Sequence, residues 1–425
     1  MTCPLGKNSY IKKIEQIFYH FVWDNKPDKI KRIIITQNYC NGGLKMINLE
    51  QFVKALKCTW IRRLINAKNN QWSTLFESQC CMIRKICDLG PHGSQDLISK
   101  AKNPFWNEVF ETWECVYKSF NINAAIAPYT PVWYNSKIKK GLYKDSWYRH
   151  GITCVGDLMD FNTQKIRTKE QIENLFNFKI KNFLDYFEVR DTLKRFLDKT
   201  YKQDTVFEKP FIPNHLYFLT RFNKGCKNIY NILKDQPCDN KYRTQWRREL
   251  NLTIDNLTWK RIFHICVNTI KDNKLIYFQY KIIHKILGTN KLLNQIGKSN
   301  NNRCRLCGED IETIDHLFVT CKVTKILWRD LNDWLKIKIN KEIDLSPMRI
   351  IMGHLETDNN FLPINTIILV TKYYIFTSAV KSCLPSFHEL KWIIKRCYNE
   401  QHWLSQEQNK ETYFNKSWLI FKEIF

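Results

Sequence analysis

No two aspartates stand next to each other anywhere in this chain. Nucleotide polymerisation needs clustered aspartates that hold two metal ions, usually on an aromatic-Ala-Asp-Asp turn, so that catalytic centre is not expected here. The acids that are present, among them Asp157, Asp160, Asp185 and Asp191, make no spacing that would form a hydrolytic metal constellation. Cysteine and histidine are plentiful, yet no local signature marks a nucleophilic pair. The chain is therefore read as not an enzyme. A secretory signal is also lacking, and the sixteen cysteines fall at irregular intervals. Both argue against a disulfide framework and for reduced, mostly buried thiols in an intracellular protein, nuclear or cytoplasmic. No apolar run reaches membrane length without interruption. The best candidate, 361–384, is broken by Asn365, Thr366 and Lys372, and is read as a buried helix with no membrane partner.

Acidic residues are scarce relative to basic ones, 41 against 67, which leaves a formal charge of +26. A basic excess of that size in a folded chain points to a polyanion, most often nucleic acid. Folding itself is implied by 44% hydrophobic and 14% aromatic content over 425 residues, enough for two to four domains.

One stretch places metal-ligand types at a recognisable spacing. Cys304, Cys307, His316 and Cys321 form the pattern C-x2-C-x8-H-x4-C. A thiolate pair two residues apart can clasp one metal, and His316 and Cys321 would complete the tetrahedral Cys3His shell that structural zinc prefers. All four positions are then filled by protein, which predicts a structural and not a catalytic zinc. Val323, Ile326, Leu327, Leu331, Trp334 and Leu335 recur at helical spacing, so a helix is expected to leave the last ligand and to pack Trp328 or Trp334 close by.

The rest reads as mainly α, a multi-unit helical protein around a small knuckle, in four segments: 1–125, 126–240, 241–340 and 341–425. Ile11, Ile14, Ile17, Phe18 and Phe21 share a helical face, with no earlier element to receive it. Ile33 to Ile35 look strand-like, and Gly42-Gly43 make a turn. Asn48 with Gln51, and Thr168 with Gln171, resemble capping boxes. The first opens a helix through Phe52, Leu56, Trp60 and Leu64, and a second helix runs from Asn182 to Leu197. Tyr201 to Pro213 reads as a linker. Helical period returns over 259–267 and 275–287, where Lys274, Lys281 and Lys285 line one polar edge and are the local candidates for phosphate contact.

Three groups of residues resemble a known family. Phe18 to Asn25 with Gly42-Gly43-Leu44 to Leu49 is similar to the segment that follows the polymerase core in LINE-type, non-LTR retrotransposon reverse transcriptases. Phe278 to Leu287, with Cys304, Cys307, His316, Cys321 and Trp328, resembles their zinc-binding C-terminal segment. Pro131 to Asn135 with Gly151-Ile152 and Asp157-Leu158 is similar to the region between. The resemblance implies a helical C-terminal piece, without polymerase or endonuclease, that helps hold template RNA and target DNA. On that reading Trp133, Tyr134 and Tyr280 are candidates to stack on bases. The competing expectation is a zinc-organised interaction module that docks onto a separate polymerase core or another protein.

Overall fold

The structure is a computed structural model and describes residues 8–66, 71–80, 85–90, 93, 103–119, 123–201, 205–213, 217, 225–234, 241–251, 253–340, 342–356 and 361–424. Residues 202–204 of the expected linker Tyr201 to Pro213 lie outside the described residues. The protein is mainly helical. Strand pairing among the described residues is confined to one short antiparallel hairpin, Met159–Asp160 against Lys165–Ile166, and three isolated bridges. The chain forms two compact units: one of Met1–Asn25 with Ile47–Asp235, the other of Lys26–Met46 with Gln236–Phe425.

In the first unit, helix Leu49–Asn66 packs on helix Pro104–Ser119. The Asn48 side-chain carbonyl accepts the Gln51 N–H at 3.0 Å, which caps the first of these helices. Its buried row is Ala55, Cys58, Ile61 and Leu64, whereas Leu56 is exposed and Trp60 half-buried. The helix expected through Phe52, Leu56, Trp60 and Leu64 is present, and of these four side chains only Leu64 is fully buried. Small residues at 55 and 58 let the neighbouring backbone approach and bring Phe105, Val109, Phe110 and Trp113 into the same core.

Trp133 anchors the middle of this unit. Its indole donates to the Ile152 carbonyl at 2.7 Å, and its ring meets Trp147 edge-on. Thr168 caps helix Lys169–Phe176 as a full capping box, with Gln171 returning the bond at 2.8 Å. Thr168→Ala removes that cap at a cost of about 1 kcal/mol. Amides of that first turn should then exchange hydrogen roughly fivefold faster, measured by native-state exchange. Asn182 caps helix Phe183–Thr200. The described part of the expected linker after it is coil but docked. Phe207 is buried, its N–H donates to Gln164 Oε1 at 2.8 Å, and its carbonyl accepts from Gln164 Nε2 at 3.1 Å.

Helix Asn8–Trp23 buries Ile11, Tyr19 and Trp23 and leaves Ile14, Ile17, Phe18 and Phe21 exposed. The apolar face expected from the sequence is thus split, and most of it is open.

The second unit is built around helix Phe361–Val380, which buries Ile367, Ile368, Leu369, Val370, Tyr374 and Ile375. The polar residues that interrupt its sequence are tied inside the core. Lys372, 2% exposed, donates to Gln279 Oε1 at 2.7 Å and to the Ile351 carbonyl at 3.1 Å. Asn365 brackets the His354 backbone through its N–H and its carbonyl. Among the described residues no helix is long and apolar enough to cross a membrane.

The segment Lys26–Met46 belongs to this unit. Its three consecutive isoleucines fill the last three positions of a short turn of helix, Arg32–Ile35, and not a strand. Two of them, Ile34 and Ile35, are buried, and packing overrides the extended preference of β-branched side chains. At Gly42 the backbone is left-handed, φ 82°, and a Cβ would stand 2.7 Å from Tyr242 Oη and 2.8 Å from Phe263 Cζ. The position takes glycine for both reasons.

Candidate metal centre

The knuckle starts from a tight turn. The Gly308 N–H donates to the Cys304 carbonyl at 2.8 Å, and Gly308 adopts φ 73°. A bridge between Arg303 and Ile311, with the Cys304 N–H on the Asp310 carbonyl at 2.7 Å, closes the loop that carries the thiol pair. Thr313 Oγ1 then accepts the His316 N–H at 2.9 Å and starts a wide π-type turn, His316–Thr320, closed by the Cys321 N–H on the His316 carbonyl at 2.8 Å. Cys321 is the residue before helix Lys322–Ile339.

This path gathers Cys304, Cys307, His316 and Cys321 so that their ligand atoms all lie within 4.8 Å of one another. Cys304 Sγ and Cys321 Sγ are 3.9 Å apart, and Cys307 Sγ is 3.4 Å from His316 Nε2. A zinc tetrahedron with Zn–S near 2.3 Å and Zn–N near 2.0 Å has edges of about 3.8 Å between sulfurs and about 3.5 Å between sulfur and nitrogen. The donor set and its spacing therefore fit zinc, held with no ligand position left for water. The second nitrogen of His316, Nδ1, lies 3.4 Å from Thr320 Oγ1 and 3.7 Å from Asp310 Oδ2, the outer partners that orient a ligating imidazole. The Cys304 thiol, hydrogen-bonded to Cys321, is pushed up, while Cys321 is drawn down to about 7, first by that bond and then by the N–H groups of Thr324 and Val323.

Helix Lys322–Ile339 buries Thr324, Leu327, Trp328, Leu331 and Leu335. Trp328 is the tryptophan held close to the knuckle, its indole donating to the Phe318 carbonyl at 2.8 Å, while Trp334 is half-buried and Ile326 exposed.

Beside the ligands stands a group that sequence spacing did not single out. Glu312 is fully buried. Its carboxylate accepts from the Arg305 guanidinium, with Nη2 at 2.5 Å and Nε at 3.1 Å, from the Arg305 N–H at 2.8 Å and from the Asn290 N–H at 2.9 Å. It thereby ties helix Asn290–Gln295 to the loop between the two thiols. The only sequence signal was an arginine inside the C-x2-C pair, and nothing local connects it to an acid seven residues away.

The lysine edge is arranged differently from its expectation. Helix Asn273–Ile283 ends four residues early, so the three amines do not form one row. Lys274 is exposed, its Nζ 5.2 Å from the Tyr373 ring centroid. Lys281 is half-buried, with Nζ 4.3 Å from the Tyr277 centroid. Lys285 lies beyond the helix at φ 57°, paired with Glu249 and 3.8 Å from the Trp246 centroid. It lines a cavity of about 410 Å³ with Arg248 and Lys291.

Two of the three aromatics expected to stack on bases are core residues. Trp133 is fully buried and Tyr280 nearly so, packed on His284. Tyr134 is half-buried and stacked on Tyr143 at 4.7 Å. His284 itself is enclosed by Tyr242 and Tyr280, and burial pushes its pKa down to about 3, which keeps it neutral.

A family model described as zinc-binding in reverse transcriptase matches residues 225–328, about a quarter of the chain. The match contains all four ligands and ends at Trp328. The protein thus carries a zinc-binding domain of the kind found in reverse transcriptases, and its zinc is structural.

Proposed function

We propose that this chain is a non-catalytic, nucleic-acid-binding C-terminal portion of a LINE-type non-LTR retrotransposon reverse transcriptase, holding template RNA and target DNA on a zinc-organised helical scaffold. The observation that carries the reading is the conjunction of a reverse-transcriptase zinc-binding domain with a formal charge of +26. Zinc spends all four positions on protein ligands, so its part is to hold shape while basic side chains meet phosphates. The LINE-type assignment rests on the resemblance of Phe18 to Asn25 with Gly42 to Leu49, of Pro131 to Asn135 with Gly151-Ile152 and Asp157-Leu158, and of Phe278 to Leu287 with the four zinc ligands.

Binding of a structured RNA across a salt series tests it, with wild type and Cys307→Ser side by side. Wild-type affinity is expected to fall steeply and linearly with log salt, as several phosphate contacts require, and the variant should bind more weakly with a shallower slope. Absence of binding at low salt sinks the reading. Primer extension and strand cleavage assayed with magnesium are both expected to stay at background.

A second reading is favoured by one observation. Ile14, Ile17, Phe18 and Phe21 are exposed together on helix Asn8–Trp23, an apolar face suited to docking on a polymerase core. Tight protein association with little RNA affinity would support it instead.

A further inference from the structure

The cavity of about 410 Å³ beside the metal centre draws one cation from each of three stretches of the second unit. Arg248 stands in the last turn of helix Lys241–Glu249, Lys285 just past helix Asn273–Ile283, and Lys291 in the first turn of helix Asn290–Gln295. Thr313 and Ile314, shortly before the ligand His316, line it as well. Thr313 Oγ1 accepts the His316 N–H at 2.9 Å, so the knuckle fixes that part of the wall. Lys291 is held from the same loop, its N–H donating to the Glu312 carbonyl at 3.3 Å. The one carboxylate that lines the cavity, Glu249, is paired with Lys285. Arg248 and Lys291 are exposed, and neither takes part in an ion pair among the described residues. Lys285 is placed there against its backbone preference. At φ 57° glycine would be unstrained, yet a lysine occupies the position and lays its amine 3.8 Å from the Trp246 ring centroid. Burial draws its pKa down, Glu249 and Asp315 oppose that, and Lys291 adds to it. Three cations around a concave site with one lining carboxylate leave a positive field that an anion relieves.

We infer that this cavity seats a phosphate of a nucleic-acid strand, gripped by Arg248 and Lys291 with Lys285 adding its field. The inference rests on the nucleic-acid reading above and gives it an address. Arginine presents a planar fork to two phosphate oxygens, and lysine a point charge. Leu287, Leu292 and Ile314 supply apolar lining on which a sugar can rest, and the volume is within the range of sites that take a small ligand. Of the three amines expected from the sequence, Lys285 alone lines the cavity. Zinc acquires a specific task on this reading, because it steadies the wall at Thr313 and Ile314 while Glu312 steadies Lys291. A phosphate contact sets the register of a strand and carries no base information, so the site is expected to be tolerant of sequence.

The experiment uses the full chain with zinc and two probes of mixed sequence, a single-stranded RNA and a duplex DNA, each in a salt series. The test variant carries Arg248→Gln and Lys291→Gln. The control carries Lys325→Gln and Lys338→Gln, which removes the same charge from exposed positions on helix Lys322–Ile339. Zinc content and circular dichroism matching wild type certify folding of both, and Lys291→Gln alone serves if the double variant fails that check. The test variant is expected to bind roughly tenfold more weakly, the usual worth of a charge-assisted contact. Its log–log salt slope should flatten by about 0.9 on duplex DNA or about 0.7 on single strands, which is one phosphate. The probe on which the slope changes identifies the strand, and the control should keep the wild-type slope. Inorganic phosphate, followed by broadening of its phosphorus-31 line, separates a strand from a free anion. Broadening that the test variant abolishes, while its nucleic-acid slope equals that of the control, assigns the cavity to a free anion and overturns the inference. Wild-type binding with equal slopes for test and control overturns it too while leaving the nucleic-acid reading intact. No wild-type binding to either probe overturns both.

Discussion

Withdrawing zinc, or replacing Cys321 by serine, is expected to release the knuckle and loosen the start of helix Lys322–Ile339, at a cost of several kcal/mol. Zinc binding to small structural sites is worth on the order of 10 kcal/mol, and that free energy is available only to the folded arrangement of ligands. Cys321 is fully buried and is the residue before the helix, so its bond to zinc also holds the wide turn His316–Thr320 in place. Leu317 and Phe318 of that turn and Trp328 and Leu331 of the helix belong to the larger core. Hydrogen exchange before and after a strong chelator checks this. Amides of 317–331 should lose protection, while helix Phe183–Thr200 of the other unit should not. Unchanged protection around Trp328 after complete zinc removal would show that packing alone holds the knuckle.

The contrast between what was and was not readable in the sequence follows the range of the interactions. Zinc ligands are close in sequence because a knuckle is a local device, so C-x2-C-x8-H-x4-C could be read directly. Thr168 with Gln171 is local in the same sense, and both bonds form. The lysine edge failed at a helix end. The Ile286 N–H donates to the Lys281 carbonyl and the Lys285 N–H to that of Ile282, with Lys285 left-handed, which is a Schellman ending. Such endings are usually announced by glycine, and here a lysine occupies the position, so the helical period of the sequence runs on to Leu287. Where side-chain identity misled, packing decided. Trp133 and Tyr280 present the rings that nucleic-acid stacking would use, yet both lie in cores.

The convergence of the Gly42 turn with the zinc domain was beyond any local pattern. Nothing between residues 26 and 46 states that its receiving surface consists of Tyr242 and Phe263, some two hundred positions away.

Glu312→Ala is expected to cost about 3 to 5 kcal/mol, the usual penalty for removing one partner of a buried ion pair. The cost arises less from the lost attraction than from what is left behind. Arg305, with only 16% of its side chain exposed, would keep its charge without the carboxylate that accepts from Nε and Nη2. The N–H groups of Arg305 and Asn290 would also lose their acceptor. Glu312→Gln tests the charge separately from the shape, since the amide keeps one acceptor oxygen and should fall between wild type and alanine. The loop between the thiols is held by Glu312 on one side and zinc on the other. Apparent zinc affinity, measured by competition with a chelator of known affinity, should therefore fall in the alanine variant although all four ligands remain. A Glu312→Ala protein with wild-type stability and wild-type zinc affinity would mean that the metal alone orders this loop.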